Sequence, residues 1–186
     1  MFTKAKSITV KFIGATAAGV FVAAISVASH AGPIHEGPKL GKPATPEEIA
    51  GWDISIPPDG SGLPKGSGDA KAGAAVYATK CATCHGAKGE GASAEELVGG
   101  KGSLASENPT LTVGSYWPYA TTLFDYIRRA MPADAPFSLS ADEVYAVSAY
   151  LLYLNGIVGE GNVLDAKTLP KIQMPNQNGF IQIYHP

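Results

Sequence analysis

The run Cys81-Ala82-Thr83-Cys84-His85 constrains this chain more than any other feature of its sequence. Two cysteines separated by two residues and followed by histidine are the attachment signature of a c-type haem. Each thiol adds to one vinyl group of the porphyrin, and the adjacent imidazole is carried beneath the ring, where it can bind the iron. The motif occurs once. It therefore predicts one covalently attached haem c, with Cys81 and Cys84 as attachment sites and His85 as an iron ligand.

Other sites also use paired cysteines. A thioredoxin-like dithiol is expected at the end of a strand, and no strand-rich run precedes Cys81. A structural zinc site needs four ligands, and Cys81 and Cys84 are the only cysteines in the chain. A haem-free redox or metal-binding protein stays an alternative, and the c-type spectrum of a reduced pyridine adduct would exclude it.

Residues 1–31 have the pattern of a secretory signal peptide. Three lysines precede an uncharged, mostly apolar run from Phe12 to Val27, and Ser29-His30-Ala31 supplies small residues where a signal peptidase reads. We expect cleavage after Ala31 and a periplasmic location, because c-type haem is attached outside the cytoplasm. The apolar run is shorter than the roughly 20 residues of a spanning helix, which makes an uncleaved anchor the weaker alternative.

The charge of the mature chain limits its partners. Residues 32–186 carry eleven Lys and Arg residues against sixteen Asp and Glu residues, a formal charge of −5. This acidic balance argues against nucleic acid or an anionic membrane surface as partner. Membrane contact is expected only through the signal segment, if that segment stays uncleaved.

Two irregular arms flank the central region. Residues 32–68 contain seven prolines and eight glycines, which predict an extended arm with one short helix beginning at a capping box, Thr45 and Glu48. A disordered linker is the alternative. Packing of this arm is favoured by its apolar side chains, which include Trp52, Ile54, Ile56 and Leu63. Residues 157–186 predict a second irregular arm.

Residues 69–156 between the arms predict an all-α haem domain. The first helix begins at its cap, Asp69, and continues to Lys80. Gly73 lies one turn before Tyr77, so a second helix can approach closely on that face. Glycines dominate the loop that follows the haem motif, and a short helix is predicted within it only at residues 93–98.

Two further helices follow this loop. One is predicted from about Ala120 to Ala130, ending because residues before a proline (here Pro132) avoid the helical region. The last has the clearest pattern. A capping box of Ser140 and Glu143 begins it, apolar residues recur at helical spacing, and Asn155-Gly156 ends it.

The second axial position of the iron needs a ligand. His30, His35 and His185 lie in the signal peptide or at the extremities, which leaves the methionines Met131 and Met174. Met131 follows a predicted helix on a loop that can bring its thioether over the haem face opposite His85, so we favour it, with Met174 as the alternative. Thioether ligation raises the reduction potential and leaves no open site, which favours electron transfer over oxygen or peroxide chemistry.

The haem propionates need hydrogen-bond donors. An aromatic cluster directly before the second helix, together with arginines near the end of that helix, brackets the methionine loop. The candidate donors are Tyr116, Trp117, Tyr119, and Arg128 or Arg129.

The whole pattern resembles a class I cytochrome c, and a longer set of motifs narrows the resemblance. These motifs are P-E-E-I-A-G-W-D at residues 46–53, Pro58-Asp59-Gly60 with Gly62-Leu63-Pro64, and V-G-S-Y-W-P-Y-A-T-T-L-F-D-Y-I-R-R-A-M-P at residues 113–132. Together they are similar to the cytochrome subunit, the D subunit, of the Sox sulfur dehydrogenase. The resemblance extends from about Leu40 to Val158 and continues into the arm that contains Met174-Pro175-Asn176.

This resemblance implies a fold and a function. The fold is a class I cytochrome c domain with extended arms, in which Cys81 and Cys84 hold the haem and His85 and Met131 bind the iron. The subunit transfers electrons within a periplasmic complex that oxidises the sulfane sulfur of a persulfide on a carrier protein. Catalysis and the molybdenum cofactor belong to the partner subunit, and another cytochrome accepts the electrons.

The chain departs from that family in two places. Some members carry a second haem domain, whereas this chain has a single motif. Relatives usually place a proline shortly after the motif, where this chain has Glu95-Glu96-Leu97, so the acceptor of the outer His85 proton is left open. The cytochrome subunit of a sulfite dehydrogenase and a free-standing diffusible electron carrier are the alternative functions.

Overall fold

The computed structural model describes residues 40–181 and 183. The predicted signal peptide, His35 and His185 lie outside the described residues. The secondary structure within them is mainly helical, which confirms the predicted all-α class. The helices are α1 Pro46–Trp52, α2 Ala70–Lys80, α3 Ala82–His85, α4 Ala120–Ala130 and α5 Ala141–Leu154.

Short elements complete the described part of the chain. Two two-residue strands, β1 Ser67–Gly68 and β2 Leu164–Asp165, pair in antiparallel register and so join the segments before and after the helical region. Single 3-10 turns occur at Ser103–Ala105 and Leu169–Lys171. No helix among the described residues is long and apolar enough to cross a membrane.

The predicted helix termini agree with the structure. Asp69 caps α2 by accepting a hydrogen bond from the Ala72 backbone N–H at 2.8 Å. Capping boxes begin both α1 and α5, at Thr45 and Ser140 respectively. Met131 follows α4 in extended conformation, as expected for a residue before proline.

The closest helix packing brings α2 onto α5. A Cβ atom at Gly73 would overlap the backbone carbonyl of Ala146, so only glycine permits this approach. One turn later Tyr77 is fully buried, and its ring lies 5.3 Å from that of Tyr150. The Lys80 ammonium also pairs with Glu143 at 2.9 Å. The close approach predicted from Gly73 is therefore made by α5.

The core extends beyond the haem domain predicted at residues 69–156. Ile56 from the N-terminal arm is buried, as are Leu164, Leu169 and Met174 from the C-terminal arm. These side chains pack in the same apolar cluster as α4 and α5. The domain boundaries stay a prediction, but both arms contribute to one core.

The prediction of a short helix at residues 93–98 is wrong. This segment is an irregular loop whose backbone bonds to other parts of the chain. The Ala94 N–H donates to the Cys84 carbonyl at 2.8 Å, and the Leu97 N–H donates to the Gly89 carbonyl at 2.7 Å. The loop is held against the cysteine motif, so its local helix propensity is overridden by tertiary contacts.

Replacing Gly73 with Ala should lower the free energy of unfolding by about 1–3 kcal/mol, because the methyl group overpacks the α2–α5 contact. Urea unfolding of the haem-loaded protein measures the effect. Gly51→Ala is the matched control, since Gly51 is also helical but has no atom within 4 Å of an added Cβ. Equal stability of the two variants would contradict the proposed tight contact.

Candidate haem site

The cysteine motif forms a tight turn at the end of α2. The Cys81 N–H donates to the Tyr77 carbonyl at 2.9 Å, and α3 then carries Ala82 to His85. Gly86 ends this turn with a φ of 83°, a conformation that glycine adopts without strain. Cys81 is half-buried and Cys84 is exposed, and neither forms a disulfide. Burial raises the pKa of the Cys81 thiol to about 11.

The His85 ring is oriented by a backbone carbonyl. Its Nδ1 lies 2.9 Å from the carbonyl oxygen of Glu95. A carbonyl only accepts, so Nδ1 carries a hydrogen, and the tautomer that binds metal has its lone pair on Nε2. A metal-binding histidine requires this tautomer, with its outer nitrogen donating to a fixed acceptor. The geometry of His85 therefore fits a haem iron ligand.

The sequence left open which group accepts the outer proton of the His85 ring. In the structure this acceptor is the backbone carbonyl of Glu95. Where relatives are expected to have a proline, this chain uses a loop whose Ala94 N–H is itself bound to the Cys84 carbonyl. The Gly91 N–H also donates to the His85 carbonyl at 2.8 Å. The loop and the cysteine motif hold each other in place, so a proline is not needed to present the carbonyl.

A buried tyrosine holds the other side of the turn. The Tyr77 hydroxyl donates to the Gly86 carbonyl at 3.0 Å, directly after His85. Burial raises the pKa of Tyr77 to about 12, so the hydroxyl remains a donor at neutral pH. The sequence singled out Tyr77 for helix packing only, since nothing local predicts which carbonyl its hydroxyl reaches.

Asn155 at the end of α5 fixes the far end of the loop. Its Oδ1 accepts from the Gly99 N–H at 3.1 Å, and its Nδ2 donates to the carbonyls of Leu97 at 3.2 Å and Leu151 at 2.9 Å. The sequence predicted Asn155 only as a helix terminus. Its structural position makes it a link between α5 and the loop that carries the Glu95 carbonyl.

The two candidate methionines occupy different surroundings. Met174 is 4% exposed and belongs to the apolar core. Met131 is half-buried, follows the last residue of α4 and packs at the margin of that core. Core packing is the usual role of a buried methionine, so the structure favours Met131 over Met174 as the available thioether. Its ligation of iron stays a prediction.

The predicted propionate donors have different surroundings in the structure, and their role stays a prediction. Tyr116 is exposed and meets Phe180 edge-on at 5.3 Å, while half-buried Trp117 meets Tyr126 edge-on at 5.6 Å. Tyr119 is half-buried and immediately precedes α4.

The two arginines at the end of α4 differ in their partners. Arg129 pairs with the nearly buried carboxylate of Asp125, its Nε donating at 2.9 Å. Arg128 is half-buried and close enough to Tyr145 for its charge to lower the pKa of that hydroxyl. The Tyr145 hydroxyl donates a hydrogen bond to the Pro64 carbonyl in the N-terminal arm. Burial raises the pKa of Tyr145 to about 12, with Asp165 adding to the rise and Arg128 opposing it. Arg128 therefore lies near the arms, and its propionate role stays a prediction.

Comparison with known proteins places the chain in a family. Residues 68–151 match the family model described as cytochrome C oxidase, cbb3-type, subunit III. The chain is also similar to the crystal structure of the sulfane dehydrogenase SoxCD from Paracoccus pantotrophus. The sequence identity is 46% and the TM-score 0.72, with 77% of this chain and 71% of that chain covered. The chain belongs to the family of the Sox sulfane dehydrogenase cytochrome subunit.

Family membership confirms the predicted fold and supports the predicted cofactor. The Sox-type cytochrome has the class I cytochrome c architecture that its motifs indicated, and haem is the cofactor of such a domain. No curated protein sequence matches the chain. The matched 77% of this chain contains more residues than the haem domain at 69–156 and the C-terminal arm at 157–186 contain together. The match therefore extends into the N-terminal arm.

Replacing Asn155 with Ala should destabilise the protein by about 1–3 kcal/mol, because the Gly99 N–H and the Leu97 carbonyl lose their side-chain partner. The freed loop should also weaken the hydrogen bond from His85 to Glu95, making the imidazole a poorer donor and raising the reduction potential. Urea unfolding and a potentiometric titration measure the two effects.

The control for this change is Asn162→Ala. The Asn162 side chain accepts a hydrogen bond from the nearby Gly159 N–H at 2.6 Å and closes a local turn in the C-terminal arm. Its loss should leave the reduction potential at the wild-type value. A wild-type potential in the Asn155 variant would show that the loop does not depend on this side chain.

Proposed function

We propose that this chain is a periplasmic c-type cytochrome that serves as the electron-transfer subunit of a molybdenum sulfane dehydrogenase. It accepts electrons from the catalytic subunit during thiosulfate oxidation and passes them to another cytochrome. The main support is the orientation of His85 by the Glu95 carbonyl, which leaves Nε2 available to iron, in a chain 46% identical to the SoxCD structure. Catalysis belongs to the partner subunit.

The residues that would hold the haem are those of the turn and of the methionine loop. Cys81 and Cys84 would form the thioether links, and His85 and Met131 would bind the iron. When bound, the haem supplies an iron that changes its charge by one electron. Cys81 and Ala82 pack against the apolar core. The Glu95 carbonyl accepts a hydrogen bond from the His85 ring and the Gly86 carbonyl accepts one from the Tyr77 hydroxyl, and together they hold His85 in its orientation.

The periplasmic location rests on the signal-peptide pattern of residues 1–31 and on the chemistry of haem attachment. A single Cys-x-x-Cys-His motif supports one haem per chain. The acidic charge of the mature chain and its two arms, both packed into the core, support a protein partner.

The axial ligand is tested by a matched pair of volume-conserving substitutions, Met131→Leu and Met174→Leu, each expected to cost less than about 1.5 kcal/mol of stability. Met131→Leu should abolish the sulfur-to-iron charge-transfer band near the red end of the oxidised spectrum and lower the reduction potential. Met174→Leu should leave both unchanged. The reverse result would assign the ligand to Met174.

The proposed role is tested by purification from the native source followed by substrate-driven reduction. The cytochrome should co-purify with a larger molybdenum-containing chain, and its haem should become reduced when a sulfane sulfur substrate is added. Reduction by sulfite alone would identify a sulfite dehydrogenase subunit instead. A cytochrome that elutes alone and is reduced by neither substrate would be a diffusible carrier.

A further inference from the structure

Helix α1 carries an apolar surface that the rest of the described chain does not cover. Ile49 and Trp52 lie three residues apart and share a face of this helix. Their side chains are 51% and 87% exposed, and no residue of α1 is buried. An exposed tryptophan beside an isoleucine is an uncommon surface feature, because large aromatic side chains contribute most when they are removed from water.

The local sequence nevertheless specifies this helix strongly. The Thr45 hydroxyl accepts from the Glu48 N–H at 3.2 Å, and the Glu48 carboxylate accepts from the Thr45 N–H at 2.8 Å. Pro46 occupies the first helical turn. Helices shorter than about 12 residues are marginal in water, so a seven-residue helix with no buried side chain gains most from a contact outside its own chain.

We infer that Ile49 and Trp52 form an anchor by which this cytochrome docks onto the molybdenum-containing catalytic subunit. This inference rests on the proposed function. It is supported by the match to a solved two-component dehydrogenase, which extends beyond the haem domain into the N-terminal arm. Among its described residues, 40–68, that arm adds only Ile56 to the fully buried apolar core, so Ile49 and Trp52 remain available to a partner.

The acidic charge around α1 and the small area of its exposed apolar face argue against a second copy of this chain as the partner that binds this face. Residues 46–53 carry three acidic side chains and no basic one, so a symmetric contact would place like charges opposite one another. One tryptophan and one isoleucine supply a few hundred Å² at most, whereas a stable interface buries about 800 Å² on each partner. The anchor therefore belongs to a larger interface, and its partner should offer an apolar pocket with a basic rim.

The test measures the dissociation constant between the haem-loaded cytochrome and the purified catalytic subunit from the same source. Trp52→Ala should weaken binding by at least about tenfold, as expected for a central aromatic anchor. Ile49→Ala should weaken it less, and Thr45→Ala should weaken it by fraying α1. The haem spectrum and the urea midpoint should not change, because α1 contributes nothing buried.

Val163→Ala is the matched control, since Val163 is also an exposed apolar side chain, at 54%, but lies in the C-terminal arm, outside both α1 and the methionine loop. Wild-type affinity in the Trp52 variant, or an equal loss in the Val163 variant, would overturn the docking role of α1 while the proposed function stands. If the wild-type protein does not bind the catalytic subunit, both proposals fail. A concentration-dependent dimer that dissociates on Trp52→Ala would assign the surface to a second copy and also overturn the inference.

Discussion

The structure of the haem site depends on the close approach of α2 and α5 at Gly73. This contact sets the position of two side chains that reach the cysteine motif and its loop from opposite helices. Tyr77 of α2 holds the Gly86 carbonyl, and Asn155 at the end of α5 holds Leu97 and Gly99. A larger residue at Gly73 would displace α5 and with it the loop that orients His85.

The orientation of His85 depends on a backbone carbonyl, that of Glu95. The Glu95 carbonyl is the acceptor for the His85 ring. The loop that carries it is held in place because the Ala94 N–H donates to the Cys84 carbonyl and the Gly91 N–H donates to the His85 carbonyl. The Glu95 side chain is not required for this role. The acceptor for His85 is therefore held by a loop that has no proline at residues 94–97.

The arms explain why the chain is longer than a small electron carrier requires. Ile56, Leu164 and Leu169 extend the core, and the β1–β2 pair joins the two arms next to α5. The same N-terminal arm presents Ile49 and Trp52 outward on a well-capped helix. One segment thus stabilises the cytochrome and offers a surface for association, and each role uses different side chains.

The amino-acid sequence by itself determined the cofactor motif, the helix termini and the family, because attachment chemistry, capping boxes and glycine spacing are local properties. It could not determine the loop at residues 93–98, where backbone bonds to the cysteine motif prevail over helix propensity. Nor could it show that the Asn155 side chain accepts a hydrogen bond from Gly99 or that Trp52 is exposed. Only the tertiary structure decided these points, since hydrogen-bond partners and burial depend on which distant segments meet.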